Sequence, residues 1–233
     1  MAFKFFKTDL IDKKKVFYVH DLVNNIIAPG ERALFSPYLQ NVIDKTLDRR
    51  LPKDWRSDKK LIQDISTSFW KNNFKSYAGK YFPDYYAAYY LPNNVYKIQL
   101  MLLDLFRNGK ISFSEKKIKL LDVGSAVGTT AWALYDFYDI LNHVLNLYGL
   151  KGNKLPPIEI DSIEKYKSNI EFFKQIKENV DFRNSRVKVN DPIEADVLSG
   201  GLNKVRISSY DIIIASNMIN EFPNQNDKQK NQT

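Results

Sequence analysis

Between Ile118 and Ser216 the chain alternates short apolar runs with longer segments of helical periodicity. Ile118-Lys119-Leu120-Leu121-Asp122-Val123 is apolar apart from Lys119 and its closing acid, as a buried parallel strand reads. Leu134, Phe137, Leu141, Val144 and Tyr148 follow at helical spacing, with Asp136, Asp139, His143 and Asn146 on the opposite side. Residues 149–157 are rich in Gly, Lys, Asn and Pro and predict a loop. Ile158-Glu159-Ile160-Asp161 predicts a second strand ending in an acid. Ser162 then caps a helix that buries Ile163, Tyr166, Ile170, Phe173 and Ile176. Arg186-Val187-Lys188-Val189-Asn190 predicts a third strand, and Tyr210-Asp211-Ile212-Ile213-Ile214-Ala215-Ser216 a fourth. Strands separated by helices predict an α/β fold with a mostly parallel sheet.

Residues 1–91 lack this alternation and predict a mainly helical N-terminal region. Val16-Phe17-Tyr18-Val19-His20 fits either a short strand or a first helical turn, and Pro29-Gly30 is a break. Pro37 opens a helix with Tyr38, Val42 and Leu47 as apolar contacts, and Leu51-Pro52 ends it. Pro92 stands near the start of a further helix whose stripe is Val95, Ile98, Leu102, Leu105 and Phe106. The α/β unit then spans 92–223, and the polar tail 224–233 reads as disordered.

The turn after the first strand carries the candidate chemistry. Gly124 lets the backbone bend where a Cβ would clash, and Gly128 lets a helix start close to a ligand. The free N–H groups of such a start favour an electron-rich ligand group. Asp122 lies at the strand's carboxyl end, where open α/β sheets bind ligands. The dinucleotide pattern G-x-G-x-x-G fails, because its frame from Gly124 meets Ala126 and Thr129, and this disfavours a nicotinamide enzyme. The frame D-x-G-x-G-x-G is met by Asp122, Gly124 and Gly128, with Ala126 in place of the middle glycine. An ordinary glycine-rich βα turn is the other reading of the same residues.

That frame resembles motif I of the class I S-adenosylmethionine (SAM) dependent methyltransferases, and the resemblance runs from about Ile118 to Pro223. It implies a Rossmann-like sheet of order 3-2-1-4 and SAM held by Asp122, Gly124, Ser125, Ala126, Gly128 and Thr129. It also implies a carboxylate at the end of the second strand, accepting from both ribose hydroxyls. Asp161 takes that role, with Glu159 directed to the other face. An acid beyond the third strand would face the adenine amino group. Asp191 and Asp196 both qualify, and Asp196-Val197-Leu198 is nearer the family's acid followed by small hydrophobics. Asn217-Met218-Ile219-Asn220-Glu221-Phe222-Pro223 resembles motif IV, beside the transferred methyl, which makes Asn217 and Glu221 the catalytic candidates. Surface solvation or helix capping is the competing reading of Glu221. Tyr90 or Asn93 would reach the amino-acid end of SAM, against tyrosines that merely pack. The implied reaction is in-line displacement, its rate drawn largely from alignment, with a base needed only where the nucleophile sheds a proton.

The sequence also departs from the family. Asn217-Met218-Ile219-Asn220 is not the N-P-P-Y box, so methylation of base amino groups loses support. The family's sheet has seven strands, whereas only the polar tail follows the fourth strand here. The sheet is therefore expected to be incomplete, as in a truncated or frameshifted fragment. Otherwise the N-terminal helices or a partner chain cover the fourth strand. More loosely, the tyrosine- and proline-containing helix leading into Leu121-Asp122-Val123-Gly124-Ser125 resembles methyltransferase-like proteins of the small ribosomal subunit. The alternative to an enzyme is a non-catalytic methyltransferase-like module binding a ribosomal or protein partner.

Composition narrows these readings. The 233 residues suit one large domain, or a domain with a helical extension, and 44% hydrophobic content supports a core. The absence of cysteine excludes disulfides and thiolate metal sites, and two histidines make a histidine-rich metal centre a poor expectation. No run approaches the roughly 18 apolar residues of a membrane span, and the N-terminus lacks a secretory h-region, so a cytoplasmic protein is expected. The net charge of +8 suits a polyanion such as RNA, and suits equally a lysine-rich genome. Between Lys45 and Lys80, basic residues interleave with Trp55, Phe69, Trp70, Phe74 and Tyr77, as an RNA surface would. Ile62, Ile65, Phe69 and Phe74 also fall near helical spacing, as a core face would.

Overall fold

The computed structural model describes residues 36–51, 63, 67, 82–107, 116–147, 155–182 and 185–216. His20, most of the basic and aromatic stretch, Asn217, Glu221 and the tail 224–233 lie outside the described residues.

The sheet is built from β1 (Ile118–Val123), β2 (Ile158–Glu164), β3 (Val187–Val189), β4 (Ile193–Glu194) and β5 (Ile212–Ile214). Every pairing is parallel, in the order β3-β2-β1-β5, with β4 also paired to β2. The predicted fourth strand is thus β5, and the architecture is the α/β, Rossmann-like one expected. β1 and β2 run in register from Ile118↔Ile158 to Val123↔Ile163.

The helices are α1 (Pro37–Arg50), α2 (Phe82–Tyr89), α3 (Leu91–Arg107), α4 (Thr129–Leu147) and α5 (Lys167–Asn179). The Ser36 hydroxyl caps α1 by accepting from the Leu39 N–H at 3.1 Å, and Pro37 occupies the first turn, where its missing N–H costs nothing. Leu39, Val42 and Leu47 of α1 share one buried cluster with Tyr85, Val95, Trp132, Phe137, Phe173 and the strand residues Leu120, Ile158 and Ile160. The described part of the N-terminal region therefore packs into the same core as the sheet. A smaller cluster, Leu121, Val123, Ile163 and Ala195, lies on the opposite sheet face under the 3-10 turns Val197–Ser199 and Gly201–Lys204.

Three local expectations are corrected. The second strand does not end at Asp161; it continues to Glu164, because Ser162 and Ile163 stay paired with Asp122 and Val123. Ser162 is therefore a strand residue, and α5 starts at Lys167 with no side-chain cap from Tyr166. The third strand is shorter and interrupted: β3 spans Val187–Val189, Pro192 brings no N–H donor, and β4 resumes on β2 at Ile193. In α4, Asp139 and Asn146 are exposed as expected, but Asp136 is fully buried, because α1 and α3 close over that side of the helix.

Arg50, at the end of α1, is the polar anchor of the helical layer. Its guanidinium forms a forked pair with Asp84 of α2, through Nε and through Nη2 at 3.1 Å, and Asp84 is fully buried. Nη1 donates to Gln175 of α5 at 3.0 Å, and the group lies 5.1 Å from the centre of the Phe172 ring. One cation thus fixes three helices, and its removal strands a carboxylate without its charge partner. Arg50→Met is expected to lower stability by about 3 kcal/mol, read as a fall in the urea midpoint at unchanged slope.

Candidate functional site

The turn between β1 and α4 is built on left-handed backbone. Gly124, Ala126 and Gly128 have φ of 71°, 50° and 97°, so alternate positions of D-x-G-x-A-x-G all take that conformation. Ala126 is the only non-glycine residue with positive φ among the described residues, and it pays roughly 1 kcal/mol for its Cβ there. Gly124 and Ser125 donate their N–H groups to the Ile163 carbonyl at 2.9 and 3.1 Å, which binds the turn to β2. Gly128 and Thr129 donate back to the Ser125 carbonyl, closing the first turn of α4.

Gly128 does not open space for a ligand. A Cβ there would lie 2.6 Å from the Phe173 ring and from the Trp132 indole nitrogen, so the glycine is needed for packing of α4 against α5. The partly exposed residues of the turn are Gly124 and Ala126, while Ser125, Val127, Gly128 and Thr129 are buried. An approaching group therefore meets the turn at Gly124 and Ala126.

Glu164 closes β2 beside this turn. Its Oε2 accepts from the Ala126 N–H at 2.8 Å; its Oε1 accepts from the Tyr166 N–H at 2.9 Å and the Asn169 side-chain amide at 3.1 Å. One buried carboxylate thus holds the glycine turn and the start of α5 together. Sequence reasoning missed it because Ser162 reads as a helix cap. The available signal was parity: Ile158, Ile160, Ser162 and Glu164 alternate with Glu159, Asp161 and Ile163.

Asp122 is fully buried, and the Thr130 hydroxyl donates to its Oδ1 at 2.9 Å. Burial, with a smaller contribution from the Glu164 charge, raises its pKa to about 7. A group raised in this way stabilises the fold fully below its unfolded value and loses that contribution as pH climbs through about 7. Over the pair sit Tyr86 and Asn94: the Asn94 amide donates to the Tyr86 hydroxyl at 2.9 Å, and that hydroxyl lies 3.4 Å from the Thr129 hydroxyl. Burial raises the Tyr86 pKa, and the Asp122 and Glu164 charges add to it. Tyr86, in contact with Thr129, and Asn94, bonded to Tyr86, are helical residues at the turn, whereas Asn93 is exposed and bonds the Tyr89 carbonyl.

The structure does not bring Asp161 to Asp122. Asp161 is in register with Leu121, whereas Asp122 is in register with Ser162, so the two acids project from opposite faces of the sheet. Asp161 instead accepts from Asn190 at 2.6 Å and from the Tyr210 hydroxyl at 2.9 Å. Glu159, expected on the other face, shares the face of Asp161, because residues two apart in a strand point the same way, and accepts from the same Asn190 amide at 3.2 Å. Asp196 lies just beyond β4, where it accepts from the Leu198 N–H at 3.0 Å and pairs with Lys165 at 2.8 Å. Lys165 holds its carboxyl below the usual range. Asp191 pairs with Lys177 at 2.6 Å and Lys174 at 3.5 Å on α5, and its pKa is likewise lowered by Lys177.

Comparison of the sequence with protein-family models and with curated proteins finds no match. Among the described residues no group of His, Asp and Glu side chains is arranged to hold a metal ion, and no helix is long and apolar enough to cross a membrane.

Ala126→Gly is expected to raise stability by about 0.5 kcal/mol, the relieved left-handed alanine outweighing the glycine's extra unfolded-state entropy. Gly128→Ala should lower it by about 3 kcal/mol, from strained φ plus a Cβ driven into Phe173 and Trp132. Denaturant titration of both variants checks the opposite signs.

Proposed function

We propose that the chain binds SAM at the carboxyl ends of β1 and β2 and transfers its methyl group to an acceptor. The observation that carries this reading is the turn itself: three left-handed residues spaced as in D-x-G-x-A-x-G, bonded to an acid that closes the adjacent strand. The surrounding atoms suit a polar ligand. Asp122 Oδ2, Ser125 Oγ, Ser162 Oγ and Asn169 Oδ1 are buried without a hydrogen-bond partner, and a ligand bearing amino, carboxylate and hydroxyl groups would satisfy such a set.

Under this reading Glu164, not Asp161, takes the ribose hydroxyls, since it ends β2 on the face that Asp122 shares. The amino-acid end meets Gly124 and Ala126 at the start of α4, where the helix dipole favours a carboxylate, with Asp122, Ser125 and Thr129 buried behind them. Asp196, next to Lys165 and two residues beyond the end of β4, is the better placed acid for adenine; Asp191 is turned to the lysines of α5. Bound SAM supplies a methyl group on an electrophilic sulfonium. Asn217 and Glu221 keep their candidacy from sequence alone. An RNA acceptor would draw on the net charge of +8.

Isothermal titration with SAM tests the reading. The unmodified chain should bind, Glu164→Gln should bind about tenfold more weakly for one lost charged hydrogen bond, and Asp161→Asn should bind as the parent does. Failure of the parent chain to bind SAM rejects the proposal; loss confined to Asp161→Asn rejects the assignment of Glu164.

A further inference from the structure

A second buried acid lies away from the glycine turn, where α4 meets α1 and α3. Asp136 and Gln99 are each fully buried. Asp136 Oδ2 accepts twice, from the Ser36 N–H at 2.9 Å and from the Gln99 side-chain amide at 3.2 Å. The remaining oxygens of the two side chains, Asp136 Oδ1 and Gln99 Oε1, are both buried and both without a partner. Two unsatisfied acceptors on side chains already joined by one hydrogen bond lack a single thing, a proton between them.

We infer that Asp136 is a neutral carboxylic acid that donates its Oδ1–H to Gln99 Oε1, closing a two-bond acid–amide ring that locks α3 onto α4. The ring satisfies both orphaned oxygens at once and removes a charge from a site with no counter-ion among the described residues. The groups facing Asp136 agree with this state. Ser36 of α1 and Gln99 of α3 present neutral partners, and the charged neighbour acting on it is Asp139, a like charge on α4 itself. Burial raises the Asp136 pKa and Asp139 adds to the rise, outweighing the hydrogen bonds from Ser36 and Gln99 that pull it down.

The lock is pH-dependent, and its direction follows from the sign of the shift. An acid whose folded pKa is raised stabilises the fold fully below its unfolded value, about 3.8, and loses that contribution as pH rises through the folded value. Ionisation would leave a buried charge against Asp139 and remove the bond to Gln99. The same two helices carry Asn94 and Thr129 to the turn, so loosening here reaches the candidate site through the packing of α3 on α4. The inference does not depend on which ligand that site takes.

Asp136→Asn supplies the test, because an asparagine amide donates to Gln99 Oε1 where the protonated acid does. Urea unfolding of the parent and of Asp136→Asn is compared from pH 4 to pH 9. The parent's folding constant should fall relative to the variant's by about tenfold per pH unit above pH 4, then level off. Parallel curves overturn the inference. Infrared spectra at neutral pH give a second readout that needs no unfolding. A protonated-carboxyl band should move to higher frequency in Gln99→Met, which keeps the acid and removes its acceptor; an unmoved band overturns the inference even if Asp136→Asn fails to fold.

Discussion

The carboxylate of Glu164 is the constraint on which the upper edge of the sheet depends. It is reached from three directions, by the Ala126 N–H, the Tyr166 N–H and the Asn169 amide, so the glycine turn, the end of β2 and the start of α5 share one acceptor. Tyr166 brings no cap of its own, and Glu164 fills that gap from outside the helix. Its charge in turn acts on Asp122, whose buried acid is pushed toward the neutral form. Glu164 is met by N–H donors, whereas burial raises the pKa of Asp122 to about 7.

Local chemistry made part of this readable from the chain alone. The strand Ile118–Val123, the bend after it and the helix from Thr129 are set by contiguous residues, and Leu134, Phe137 and Leu141 are buried as their spacing required. What escaped was decided elsewhere in the fold. Ser162 carries the same side chain whether it caps a helix or sits in a strand, and only β1, paired through Val123, settles the choice. That one register decision moved the terminal acid from Asp161 to Glu164 and put Asp161 on the far face. Asp136 reads as a solvent-facing residue because nothing near it in sequence announces that Ser36 and Gln99 will close over it. Gly128 has the residue type expected of a ligand contact, yet the space beside it belongs to Phe173 and Trp132.

The sheet's two faces are furnished differently. Leu120, Ile158, Ile160, Val187 and Val189 lie beneath the helices, as a buried parallel sheet requires. On the other face, Leu121, Val123 and Ile163 are covered by short 3-10 turns, while Lys119, Glu159 and Lys188, nearer the strands' starts, carry charge. Lys117 and Lys188 both pair with Glu159 and hold its carboxyl down to about 2. That alternation is what antiparallel sheets usually display, and among the described residues no helix covers this charged part of the face.

The interruption at Pro192 has a consequence for how copies of the chain meet. Along the β3–β4 side of the sheet, β3 runs for only three residues, Val187–Val189, and Pro192, three positions further on, has no N–H to offer before β4 resumes at Ile193. An incoming strand would find its hydrogen-bond partners exhausted after little more than one repeat of the pleat. A proline so placed shortens the length over which a further strand could pair along that margin.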